Sequence, residues 1–156
     1  MKGNDNVLAV LNDLLADELT AINQYVVHGE MAENWGYGKL KKQVGGRAIT
    51  EMKHAEKLIE RILFLEGTPI VSKLNPIRIG SDIPKQFIHD LALEMLAVKN
   101  YNNAIRITVD AGDNATKEIL ESILKDEDGH VDEIEEKMDQ VDQMGVQLFL
   151  TTQTGE

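Results

Sequence analysis

The chain has 156 residues, 42% of them apolar, with three Pro, no Cys and a formal net charge of -11. That length suits one domain, residues 1–156, with a proper core, and the negative balance argues against nucleic acid as the main partner, because phosphate binding needs a positive face. The absence of Cys removes disulfides, iron–sulfur clusters, thiolate zinc sites and thiol nucleophiles, so any metal chemistry must use oxygen and nitrogen ligands.

The start, Met1-Lys2-Gly3-Asn4-Asp5, opens an amphipathic pattern and not a signal-type apolar core, and no apolar run approaches about 18 residues. The expected location is the cytoplasm, with no membrane span. From about Asp5 to Asn34 the apolar residues Val7, Leu11, Leu14, Leu15, Leu19, Ile22, Tyr25 and Val26 recur at three- and four-residue steps, the pattern of a helix with one buried stripe. Glu18 falls inside that stripe. A carboxylate among Leu14, Leu15, Ile22 and Tyr25 is costly to bury as a lone charge, so it must be paired, neutral or metal-bound.

Gly36 and Gly38 punctuate a turn, and a second helix is expected from about Lys39 to Glu66, with Glu51, Ala55, Leu58, Ile62 and Leu65 in its stripe and His54 beside it. Gly45-Gly46 should weaken this helix by about 1 kcal/mol per Gly relative to Ala, which makes a bulge, bend or local opening plausible there. Between Gly67 and Gly80 the periodicity lapses into Thr68-Pro69 and Asn75-Pro76. Antiparallel neighbours need only about two to eight connecting residues. A longer link is what a crossover running the length of a bundle requires, and it places the third helix parallel to the second.

The third helix begins at Ser81-Asp82, with Pro84 tolerated in the first turn. Phe87, Leu91, Glu94, Val98, Tyr101, Ile105 and Thr108 form its seam. Gly112-Asp113-Asn114 ends it. A fourth helix runs from about Ala115 to Met144 with Leu120, Leu124, Glu127, Val131, Ile134, Met138 and Val141 in the stripe and His130 next to it. Gly145 closes that helix, and Val146 to Leu150 with Thr151-Thr152 suggests a short fifth one. A mostly apolar tail of this length is expected to be used between subunits, because the bundle is already complete without it. The fold class is therefore all-α: a four-helix bundle with a long crossover between the second and third helices and a short fifth C-terminal helix.

Glu51-Met52-Lys53-His54 and Glu127-Asp128-Gly129-His130 share one pattern, a Glu and a His three residues apart on one helical face, where both can reach one cation. The separations are the stronger signal: Glu51 to Glu127, His54 to His130 and Glu18 to Glu94 are each 76 residues. Six ligand-type residues thus fall into two matched sets, Glu18/Glu51/His54 and Glu94/Glu127/His130, as in a pseudo-two-fold metal site. Four carboxylates and two imidazoles make an oxygen-rich site that suits divalent iron or manganese better than structural zinc. Glu51 and Glu127 would bridge two ions, Glu18 and Glu94 would each bind one, and His54 and His130 would complete one apiece. Two ferrous ions held together there can deliver two electrons to O2 or peroxide. Tyr25 lies seven residues after Glu18 on the same face and is expected near the metals, either as a core aromatic with a bonded hydroxyl or in a redox role.

Met52, one step from Glu51, is rotated about 100° away from the site. With Ile49, Ile59 and Leu63 it forms an outward apolar stripe, the mark of a subunit interface. If that interface is isologous, two Met52 side chains meet across the axis, where they either pack or hold a haem iron between two thioethers.

These residues carry a resemblance. From the Met-Lys-Gly start through Leu11-Asn12, Glu18-Leu19, Ala21-Ile22-Asn23-Gln24-Tyr25, Asn34-Trp35-Gly36, Glu51-Met52-Lys53-His54-Ala55, Arg61-Ile62-Leu63-Phe64-Leu65-Glu66-Gly67 and Asp126-Glu127, nearly the whole chain resembles the bacterioferritins. The resemblance implies a ferritin-like bundle assembled as a homo-oligomeric shell of twenty-four subunits. It implies oxidation of Fe(II) by O2 or peroxide at a di-iron site within each subunit, storage of the ferric mineral inside, and haem b shared between two subunits. It also implies an electron-donating ferredoxin for iron release. Carried onto this chain, Glu18, Glu51, His54, Glu94, Glu127 and His130 are the ferroxidase ligands to two iron ions, and Met52 is the axial haem ligand.

The chain departs from some members of that family. Gly46 and Thr50 stand where those have a His and an Asp for an extra iron on the inner surface, so that auxiliary site is expected to be missing. Leu58 and Glu133 stand where others have a Tyr and a Trp of an electron-donating network, leaving only Tyr25 of the set. Electron delivery during turnover is therefore expected to be altered while di-iron oxidation survives. Among competing functions, a rubrerythrin-type peroxidase lacks its Cys-rich module here, and a DNA-protecting mini-ferritin places its site between subunits. The alternative outside enzymes is a haem-binding or structural shell subunit dependent on a catalytic partner subunit, which loss of a di-iron ligand would favour.

Overall fold

The computed structural model describes every residue from Met1 to Glu156. Five helices account for the regular structure: α1 Asp5–Asn34, α2 Gly38–Phe64, α3 Ile83–Asp110, α4 Asn114–Met144 and α5 Val146–Thr151. Local chemistry fixes their starts. The Asn4 side chain accepts from the backbone N–H groups of Asn6 and Val7, Asp82 accepts from Lys85, and Asp113 accepts from Thr116, so α1, α3 and α4 have orphan N-terminal donors satisfied by a short acceptor side chain; α2 and α5 have no such cap. Gly112 and Gly145 adopt positive φ of 70° and 80° at the ends of α3 and α4, a backbone conformation that costs a side-chain-bearing residue more than glycine.

Cross-helix pairs give the topology. Gly3 donates its N–H to the Leu65 carbonyl at one end of α1 and α2, while Gly29 faces Gly45 near the other, so α1 and α2 run antiparallel. Tyr25 meets Glu94 and Tyr101 meets Glu18, so α1 and α3 are antiparallel too. Hence α2 and α3 are parallel, and residues 65–82 traverse the bundle between them as the sequence requires. This crossover is held by side chains of α1. Asn12, Thr20 and Gln24 accept from the backbone N–H groups of Ile70, Asn75 and Arg78, and His28 Nε2 accepts from Gly80. Backbone donors of a segment without secondary structure are thereby satisfied by a polar stripe at helical spacing.

Val26, expected in the buried stripe of α1, is instead 48% exposed, because it lies one step round the helix from the buried Tyr25. Three further differences from the sequence-based expectations concern local detail. Helix α2 passes through Gly45-Gly46 with no bulge or break, because the surrounding turns of Val44, Arg47 and Ala48 are buried and tertiary packing outweighs the propensity cost of two glycines. Its end falls at Phe64 and not at Glu66, where Glu66 turns to φ 62°. The tail is not left for another subunit: Phe149 is fully buried and meets Phe87 edge-to-face at 5.9 Å, in a cluster with Ala32, Leu40, Ile83 and Ile134. The end of the bundle was open, and α5 closes it. Only Val146 and Leu148 of that helix remain exposed apolar residues.

The core has two main parts. A larger apolar cluster includes Leu11, Leu14, Leu58, Ile62, Leu120 and Ile123, and a smaller one surrounds Phe87 and Phe149. Between them, near the middle of each long helix, the stripes change from apolar to acidic.

Candidate metal centre

Glu18 of α1, Glu51 and His54 of α2, Glu94 of α3, and Glu127 and His130 of α4 all point into that middle layer. The four glutamates and His54 are 1% exposed, and the His130 side chain is 11% exposed. Ligand-type atoms of Glu18, Glu51, His54 and Glu127 lie within 4.8 Å of one another, as do those of Glu51, Glu94, Glu127 and His130. Glu51 and Glu127 belong to both groups. The two histidines present Nδ1 to the acids. His54 Nδ1 lies 3.1 Å from Glu127 Oε1 and 3.6 Å from Glu18 Oε2, and His130 Nδ1 lies 3.1 Å from Glu51 Oε1 and 3.3 Å from Glu94 Oε1.

Every one of the six leaves a buried atom without a hydrogen-bond partner: Glu18 Oε2, Glu51 Oε1, His54 Nδ1, Glu94 Oε2, Glu127 Oε1 and His130 Nδ1. Buried polar atoms without a hydrogen-bond partner are costly singly. Six of them, facing one space, are the donor set that two hard-to-intermediate divalent cations satisfy. Three of the remaining polar atoms, on Glu94, Glu18 and His54, have protein partners. Tyr25 donates its hydroxyl to Glu94, and Tyr101 donates to Glu18 Oε1 at 2.6 Å, so each terminal carboxylate keeps one oxygen fixed and one free. His54 Nε2 lies 2.8 Å from Asp126 Oδ2, a carboxylate–imidazole contact of the kind that orients metal-ligating histidines.

Electrostatics within the metal-free cluster follow from burial. Desolvation, reinforced by the neighbouring Glu51 charge, pushes Glu18 well above the usual carboxylate range, and desolvation raises Glu127 to about 12 against the opposing pull of His54. Glu51 goes the other way, because the close approach of His130 and His54 outweighs its desolvation. His130 is burdened by burial yet held up to about 9 by Glu51 and Glu94, and His54 is likewise raised by Glu127 and Glu18. Protons thus supply positive charge among the buried acids. Burial and the acids beside them also hold the Tyr25 and Tyr101 phenols well above their ordinary value.

A narrow cavity of about 130 Å³ reaches the four glutamates. Its other lining residues include Pro76 and Arg78 of the crossover, both exposed, so it leads from the surface between α1, α3 and the crossover to the cluster. Beside it lies a second buried polar group. Asp90 bonds Gln24 and His28 at 2.8 Å and pairs with Arg47 at 3.3 Å, while the Arg47 guanidinium lies over the Tyr25 ring, 4.9 Å from its centroid.

Of the residues singled out in the sequence, the six Glu and His converge and Met52 does not. Met52 is 48% exposed on the other side of α2, with Ile49 and Leu63 also exposed and Ile59 half-buried. Tyr101 and Asp126 were not anticipated at the site. Tyr101 follows Tyr25 by the same 76 residues that relate the Glu and His pairs, and that offset was the signal for it.

Residues 8–144 match the ferritin-like domain family. The chain is 45% identical to the bacterioferritin of Rhodobacter capsulatus over 149 residues, covering 96% of this chain and 92% of that one. It is 38% identical to the bacterioferritin of Mycobacterium avium, covering 96% and 94%. A solved structure of the R. capsulatus protein, reported with a metal-free dinuclear site and a haem iron in a crystallographic special position, superposes with a TM-score of 0.98 at 43% identity, over 100% of this chain and 98% of that one.

Proposed function

Because this chain belongs to the bacterioferritin family, we propose that it is an iron-storage subunit that also acts as a ferroxidase, taking Fe(II) as substrate at the six-residue cluster. The observation that carries this reading is the set of six buried, partnerless ligand atoms facing one space. Each Fe(II) gives up one electron, so a pair supplies the two electrons that take O2 to peroxide or peroxide to water. The protein's part is positional. Glu51 and Glu127 would bridge the pair, Glu18 with His54 would hold one ion, and Glu94 with His130 the other. Four carboxylates offset the charge of two divalent cations, and the protons held at Glu18, Glu127, His54 and His130 would leave as metal enters. Tyr25 and Tyr101 fix the orientation of the terminal carboxylates, and the cavity beside Arg78 offers Fe(II) a route from the surface.

The same reading makes residues 1–156 one ferritin-like domain in a hollow homo-oligomeric shell of twenty-four cytoplasmic subunits, with a ferredoxin returning electrons for release. Haem b is placed between two-fold partners with Met52 as axial ligand, and the exposed Met52, Ile49 and Leu63 supply an apolar face for that contact. Retention of all six ligand-type residues weighs against a shell subunit that depends on a catalytic partner. Anaerobic loading with Fe(II) followed by rapid mixing with oxidant tests the proposal. Two Fe(II) per chain should oxidise in a fast phase that Glu18→Ala or His130→Ala abolishes. Met52→Leu should remove the bis-thioether haem spectrum and spare that phase. A fast phase unaffected by Glu18→Ala and His130→Ala would overturn it.

A further inference from the structure

The offset of 76 residues that relates the two halves of the cluster also relates Thr50 to Asp126. Asp126 bears on the outer nitrogen of His54, its counterpart by the same offset is Thr50, and here the halves differ. Asp126 Oδ2 lies 2.8 Å from His54 Nε2. Its counterpart Thr50 turns its hydroxyl back onto its own helix and donates to the Gly46 carbonyl at 3.1 Å, and no protein group bonds His130 Nε2. Exposure agrees: the His54 side chain is 1% exposed and that of His130 11%.

An imidazole that donates Nε2–H to a carboxylate has its tautomer and ring orientation set, with the Nδ1 lone pair aimed at the metal and made more basic. An imidazole without that bond must choose both when the metal arrives, and the cost is taken from binding. We propose that the two metal positions are unequal: the one served by Glu18 and His54 is the tighter, with Asp126 as its positioning residue, and the one served by Glu94 and His130 is the weaker because Thr50 replaces the carboxylate. This rests on the metal-binding reading above and adds to it an order of filling.

Metal-free protein is titrated anaerobically with Co(II) and followed by ligand-field absorption, in His130→Ala, which leaves only the Glu18/His54 position complete, and in His54→Ala, which leaves only the Glu94/His130 position. His130→Ala should retain a Co(II) ion about 10-fold more tightly than His54→Ala does. Asp126→Ala should erase that advantage when added to His130→Ala and change nothing when added to His54→Ala, a split that general loosening of the bundle would not give. Thr50→Asp should tighten binding only in the His54→Ala background. Equal affinities in the two single variants, or the same loss from Asp126→Ala in both backgrounds, would overturn the inequality while leaving the metal site in place. Failure of the unmodified protein to bind Co(II) would overturn the metal-binding reading and the inequality with it.

Discussion

Glu18 and Glu94 show how a single side chain carries two duties: one oxygen is tied down by a tyrosine across the bundle, and the other is left without a partner. A carboxylate so arranged is preorganised for a cation and unfavourable without one. Proton binding at Glu18 relieves this in the metal-free protein, and at His130 it affects stability with a definite sign. His130 is raised from its ordinary 6.5 to about 9, so the folded chain binds more protons than the unfolded one across that interval. The stabilisation is complete below about pH 6.5 and is lost as pH rises through about 9. The melting temperature of metal-free protein should therefore fall between pH 7 and pH 9.5, whereas metal-loaded protein, whose histidines have already given up their protons, should not show that fall. Calorimetry at the two pH values with and without Zn(II) measures it, and a metal-free Tm that is flat or rising would contradict it. At this scale the sequence was informative wherever a residue broke the apolar pattern. Glu18, Glu51, Glu94 and Glu127 stood out because acids do not belong in apolar stripes. Tyr101 did not, because a tyrosine in a seam looks like core, although its offset from Tyr25 was available to be read. Asp126 lies on the exposed side of its helix, where one more acid on a strongly acidic chain carries no signal.

The four long helices were legible as elements because period, caps and glycine breaks agreed, and their observed ends lie within two residues of those expected. What was not legible depended on contacts made at a distance. The polar stripe Asn12, Thr20, Gln24 and His28 satisfies the backbone of the crossover, a role that no local pattern in α1 signals. The fifth helix reads as a spare apolar tail, yet Phe149 fills the open end of the bundle against Phe87. Removing that ring should leave a cavity among Ala32, Leu40, Ile83 and Ile134, so Phe149→Ala is expected to cost about 3 kcal/mol in denaturant unfolding while leaving the bound Co(II) spectrum unchanged, because the proposed metal layer lies at mid-bundle. A loss below about 1 kcal/mol would show that α5 is not held as described.

Across the whole molecule, one antiparallel relation between α1 and α3 brings the two halves of the repeat face to face: Tyr25 to Glu94 and Tyr101 to Glu18. The near-symmetry lets Glu51 and Glu127 belong to both groups of ligand-type residues, and its breakdown at Thr50 and Asp126 is the basis of the proposed inequality. Outside the bundle, the exposed Val26 and Val27 of α1 and Ile49, Met52 and Leu63 of α2 supply apolar surface for the assembly proposed here. All of it turns on whether two iron ions sit between the six side chains. Crystals soaked with Fe(II) under anaerobic conditions and measured at the iron absorption edge answer this directly: two anomalous peaks per chain are expected, one beside Glu18 and His54 and one beside Glu94 and His130, both in contact with Glu51 and Glu127. No peak between those groups, or side chains turned away from one another, would contradict it.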